Sequence, residues 1–94
     1  MAENKTAEVT TSSGFSCVLD LNQLDNMELF EEIAEFQKSS NIIALSNALG
    51  MILGEEVKKT LYDHLRTEDK RVPIEDLGRE LTEILKAANQ GKNS

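Results

Sequence analysis

Ser40-Asn41-Ile42-Ile43-Ala44-Leu45-Ser46-Asn47-Ala48-Leu49-Gly50-Met51-Ile52-Leu53 is the stretch that decides the fold. Nine of the twelve residues from Ile42 to Leu53 are apolar and none is charged. At about 100° per residue, Ile42, Leu45, Ala48, Leu49, Ile52 and Leu53 share one broad face. Ile43, Ala44 and Met51 point elsewhere. A surface helix needs one apolar stripe, so a helix apolar nearly all round has to be covered from several sides. Ser40 or Asn41 is the natural N-cap. Gly54 stops the helix, because glycine accepts the left-handed conformation just past a helix end.

The flanking segments read as amphipathic cover. Upstream, Asn22, Asp25 or Asn26 is placed to cap a helix running to about Gln37. Met27, Phe30, Ile33 and Ala34 make its main apolar face, which Leu29 and Phe36 widen. Glu28, Glu31, Glu32 and Glu35 sit together on the opposite arc. Further upstream, Phe15, Cys17, Leu19 and Leu21 alternate as in a half-buried strand. Glu8 to Thr11 is β-prone, and Ser12-Ser13-Gly14 is a turn signal, so the two runs form a hairpin. A lone hairpin is marginal in water, so its apolar face has to lie on helices. Downstream, Glu55 and Glu56 suit the positive end of a third helix. Val57, Leu61 and Leu65 line one side of that helix, with Tyr62 on the flank. Pro73 marks the first turn of a fourth, where its missing N–H costs nothing. Its apolar stripe is Ile74, Leu77, Leu81, Ile84, Leu85 and Ala88.

The expected fold is therefore mainly α: a small four-helix domain with a short N-terminal β-hairpin. Residues 1–12 are expected to be a flexible N-terminus with a possible first strand. Residues 13–88 form the helical domain, and 89–94 a disordered polar tail. Ninety-four residues make one domain. Short connections favour antiparallel neighbours.

Charge and composition narrow the function. The formal net charge is −7, which disfavours a nucleic-acid phosphate backbone or an anionic membrane surface as partner. The apolar run is too short to span a bilayer, and the N-terminus lacks the apolar core of a signal peptide. A cytoplasmic protein that binds other proteins is expected. The single Cys17 forms no intramolecular disulfide. On the apolar side of a strand it reads as a small buried hydrophobe. His64 borders the apolar side of the third helix, and adjacent helical residues such as Asp63 do not face it. One Cys and one His do not make a zinc site without several carboxylates. The acidic arc lacks the Glu-x-x-His pairs of metal-binding bundles. Leu65–Asp76 fails as a calcium loop at its first, glycine and last positions. The Asp-Ser-Leu attachment motif of acyl carriers is absent. No enzyme, cofactor or metal is expected.

The order of the segments resembles a known family. Ser13-Gly14-Phe15 opens an alternating strand, and Leu24-Asp25-Asn26-Met27-Glu28-Leu29 starts an acidic helix. Leu53-Gly54-Glu55-Glu56, Leu61-Tyr62-Asp63-His64-Leu65-Arg66 and Arg71-Val72-Pro73-Ile74-Glu75 follow. From Ser13 to Ala88 this resembles the small tail assembly chaperones of long-tailed phages and prophages of Gram-positive bacteria. Where many members carry a proline-containing segment, this chain has its uninterrupted apolar run. The resemblance implies a chaperone that binds the helical tape measure protein, keeps it soluble and recruits tail tube subunits. It implies action in the host cytoplasm, and often a longer frameshifted form extending from the polar tail. Such a role needs an exposed apolar patch on an acidic body. The residues the core least needs are Leu29, Phe36, Ile43, Met51 and Tyr62, which are the expected contacts with a partner or with a second copy. The alternative is a small acidic regulatory or adaptor protein, antitoxin-like or anti-repressor-like, or a DNA mimic. Lys58, Lys59, Arg66, Lys70 and Arg71 interrupt the acidic surface that a mimic requires.

Overall fold

The computed structural model describes residues 5–92. Strands β1 (Thr6–Thr10) and β2 (Ser16–Asp20) pair antiparallel, with Ala7 opposite Leu19 and Val9 opposite Cys17. The turn closes through Thr11 N–H to the Phe15 carbonyl and Gly14 N–H to the Thr11 carbonyl, both at 2.9 Å. Gly14 takes φ +90°, which a side chain would resist. The first strand starts two residues earlier than the β-prone run suggests. Residues 6–12 thus form the possible first strand and the start of the turn. Even Lys5 is tied down, its carbonyl accepting Leu21 N–H at 2.9 Å. Residues 1–4 of the expected flexible segment lie outside the described residues.

A 3-10 helix, Leu21–Asp25, follows β2 directly and buries Leu24. It removes Leu21 from the strand. Helix α1 (Met27–Ser39) then begins on Asn26, whose Oδ1 accepts Glu28 N–H at 3.0 Å. It ends at Ser40 in the left-handed conformation, whose N–H reaches the Phe36 carbonyl. Helix α2 (Ile42–Leu53) starts on Asn41, whose Oδ1 accepts from Ile43 and Ala44 N–H. Gly54, at φ +87°, separates it from α3 (Glu55–Leu65) with no intervening loop. Thr67 N–H closes the next connection on the Arg71 carbonyl at 2.8 Å. Helix α4 runs Ile74–Lys92. Helix thus continues past Ala88 through most of the stretch expected to be a disordered tail. Asn89-Gln90 carries no helix-stopping residue, and the single Gly91 is not enough to end a helix this long.

The apolar α2 lies at the centre. It touches α1, α3, α4, β2 and the 3-10 helix. Ala44, Leu45, Ala48, Leu49, Ile52 and Leu53 are all buried. The hairpin contributes Val9, Phe15 and Leu19 to the same core, α3 contributes Leu61, and α4 contributes Leu77, Leu81, Ile84 and Ala88. Two expected faces are rotated. In α1, Leu29 and Ile33 point inward with Phe36 half-buried behind them, while Met27, Phe30 and Ala34 face out. Both sets have helical spacing, so periodicity alone does not choose between them. Docking of α1 on α2, just after the 3-10 helix, does. In α2, Ala44 is buried and Ile42 is exposed, because Ile42 begins the helix beyond the edge of the bundle.

Candidate protein-binding surface

The five expected contact residues divide into three groups. Leu29 is 0% exposed and belongs to the core, so it is withdrawn as a contact residue. Phe36 is half-buried and packs α1 onto α4: a Cβ on Gly78 would stand 3.5 Å from its ring. Met51 is half-buried and lies beside Val18, Asp20 and Gln23, beneath the hairpin and the 3-10 helix. The surplus side of α2 at Met51 is therefore partly covered from within the chain.

Ile43 and Tyr62 come together. Ile43 is 64% exposed, and Tyr62 is half-buried on α3. With Ile42, Val72 and Ile74 they wall an open groove of about 210 Å³, floored by Leu45 and Leu77. Ile42 and Ile74 are 47% and 51% exposed. Each is the first residue of its helix, so its side chain projects past the packed faces. Sequence reading assigned both to the core because their spacing matches the core stripe. The usable signal was their place directly after the cap Asn41 and after Pro73. Val72 lies in a connector and has no periodicity to betray it.

Polar contacts fix one wall of this groove. Tyr62 Oη donates to Ser46 Oγ at 3.1 Å, and Lys58 Nζ donates to the same oxygen at 3.2 Å. Lys58 also pairs with Glu55 at 3.2 Å and stands 5.9 Å from the Tyr62 ring centre. These contacts tether the tyrosine beside the groove. Lys58, Lys59, Arg66, Lys70 and Arg71 all lie on α3 and the connector beside it, half of the ten Lys and Arg residues of the chain. The acidic arc of α1 is elsewhere. Glu28, Glu31 and Glu35 are exposed there, while Glu32 accepts from Asn47 Nδ2 at 3.1 Å and pins α1 to α2.

His64 and Cys17 have structural surroundings. His64 Nε2 lies 3.0 Å from the Ser13 carbonyl, and its ring centre is 5.6 Å from that of Phe15. Nearby, the Glu83 carboxylate accepts Ser12 N–H at 2.7 Å and Ser12 Oγ at 2.6 Å. These bonds from Ser12 hold the Glu83 carboxyl below its ordinary range. Together the two contacts staple the hairpin turn to α3 and α4. Cys17 is half-buried, and burial, with the Glu80 charge adding to it, raises its thiol pKa and so disfavours the thiolate. Among the described residues, no three of His, Cys, Asp and Glu are grouped to hold a metal ion. Among the described residues, no helix is long and apolar enough to cross a membrane. No known protein family, curated protein or solved structure matches the chain.

Proposed function

We propose that this chain is a non-enzymatic chaperone of phage tail assembly that binds an amphipathic helix of the tape measure protein. The observation that carries the reading is the groove at the α2–α3–α4 junction, whose apolar walls Ile42, Ile43 and Ile74 face solvent. A groove walled by aliphatic and aromatic side chains takes a helix by its i, i+3, i+4 anchors. The cations on α3 and the connector favour a client helix whose polar flanks are acidic. The remaining acidic surface keeps the loaded chaperone soluble in the host cytoplasm. Recruitment of tail tube subunits, and association with a second copy, belong to the same reading.

Co-expression with a tape measure fragment tests it. Wild type is expected to raise the soluble fraction of the fragment and to co-purify with it. Ile43→Glu and Ile74→Glu leave the fold intact, because both side chains are already exposed, yet each is expected to weaken capture by ~10-fold or more. Equal capture by wild type and both variants would sink the proposal.

A further inference from the structure

Strand β2 has an open outer edge. Bonding between antiparallel strands alternates, so every second residue directs its N–H and C=O to the partner strand and the others direct theirs outward. Thr11 N–H reaches the Phe15 carbonyl beyond one end of the ladder, and Leu21 N–H reaches the Lys5 carbonyl beyond the other. Between these ends the bonded pairs are therefore Val9 with Cys17 and Ala7 with Leu19. Ser16 and Val18 turn their N–H and C=O groups to the outer side, as Asp20 does its N–H, and among the described residues no backbone group bonds them there. All three residues are exposed, Val18 by 58%. A depression of about 250 Å³ runs beside them, with Val18, Asp20 and Gln23 on one side and the end of α2, Met51 to Gly54, on the other. No residue of β1 lines it, so it follows the free edge rather than the space under the hairpin.

We infer that the outer edge of β2 docks an extended segment of a partner protein, which adds to the hairpin as a third, antiparallel strand. Alternating donors and acceptors at strand spacing are matched by another strand, whose main chain supplies the affinity and whose alternate side chains supply the specificity. The two edges of the hairpin are not equivalent. β1 carries the exposed Glu8 at its centre, a charge of the kind that guards an edge, whereas β2 carries Val18. A second copy does not fit the β2 edge. Strands lie ~4.8 Å apart and a helix is ~10 Å across, so α2, packed against β2, reaches past the strand. In a sheet continued through a two-fold axis both copies carry their helices on the same face, and the two α2 helices collide. A lone strand instead rests on that projecting ledge. Its inward side chains are aliphatic, because they meet Met51 and Leu53. On the outer face a β-branched residue suits Val18, and a basic one suits the exposed Asp20 carboxylate. This edge is separate from the apolar groove and does not depend on the chaperone reading.

The probe is the peptide acetyl-Lys-Ile-Val-Ile-Thr-amide, whose lysine falls opposite Asp20 and whose valine falls opposite Val18. It is titrated into the intact protein and followed by the amide shifts of Ser16, Val18 and Asp20. Saturable shifts at these amides are expected, with Kd on the order of 1 mM for so short a segment. N-methylation of the peptide's valine removes a bond to β2 and is expected to weaken binding by ~10-fold or more. N-methylation of the isoleucine before it, whose N–H points away from β2, is expected to change binding by less than ~2-fold. Val18→Pro removes the outward N–H without touching the hairpin's own bonds and is expected to abolish the shifts. The two methylated peptides read the same bonds in the unaltered protein. Equal binding of the two, shifts that appear at Ile42 and Ile43 instead of β2, or no saturable shift would overturn the assignment. So would shifts of the same three amides on raising the protein concentration without peptide, which would give the edge to a second copy.

Discussion

Replacing Glu80 with methionine is expected to make the protein more stable. The side chain is fully enclosed by the face that α4 turns toward the hairpin, and one carboxylate oxygen has no partner. Moving a carboxylate out of water costs several kcal/mol even after the surroundings relax, and attraction to a partner offsets this only when the pairing is good. The adjacent cation in the sequence, Arg79, is engaged by Asp76. Methionine has nearly the same length and volume and adapts to irregular space, so it removes the penalty without opening a cavity. Substitutions of buried ionic groups by well-packed apolar ones gain about 1–4 kcal/mol. In a domain of this size each kcal/mol moves Tm by roughly 4–8 °C, so a rise of roughly 4–30 °C is expected. Thermal unfolding followed by circular dichroism, with a urea titration to check that the m-value is unchanged, measures it. A Tm at or below that of wild type would refute the reasoning, because it would mean that the carboxylate is compensated in the folded chain.

Further expectations follow from the same packing. Leu29→Ala removes a fully buried side chain and is expected to cost about 2–5 kcal/mol, whereas Ile43→Ala is expected to cost under about 1 kcal/mol; urea midpoints that rank the two the other way would reverse the assignment of core and surface. Gly54→Ala meets no atom within 4 Å but forces φ +87°, ψ 156° on a residue with a Cβ, so about 1–3 kcal/mol of destabilisation is expected from backbone strain alone. The Glu83 carboxyl is held below its ordinary value of 4.5 by Ser12, so its tether contributes fully above that value and is lost as pH falls through the lower folded value. Wild type is therefore expected to be more stable than Glu83→Gln at pH 7 and to converge with it in acid; a difference that persists at pH 2 would count against the staple.

Much of the fold was legible because local signals agreed with one another. Asn26, Asn41, Gly54 and Pro73 mark helix ends by chemistry that needs no tertiary partner. The alternation around Cys17 and Leu19 and the Ser12-Ser13-Gly14 turn specify the hairpin. The site was less legible. Of the five expected contacts, only Ile43 and Tyr62 share the groove. Leu29 and Met27 are each part of a helically spaced apolar stripe, and nothing local says which stripe meets α2. Glu80 was missed because a charge within an apolar stripe reads as an ordinary surface residue until the hairpin is laid across it.

What the sequence determined by itself was the hairpin and the four α-helices, their boundaries to within a few residues, and the central position of Ile42–Leu53, but not the 3-10 helix between β2 and α1. An uncharged apolar helix in an acidic chain has no other stable place. Tertiary structure alone decided how each helix is rotated, and hence which apolar side chains remain outside. The 3-10 helix turns Leu29 inward and Phe30 outward. The hairpin partly covers Met51, and Glu80 is buried on α4. The ends of α2 and α4 leave Ile42 and Ile74 in water. Rotation and docking depend on contacts between segments distant in sequence, and no local pattern encodes them.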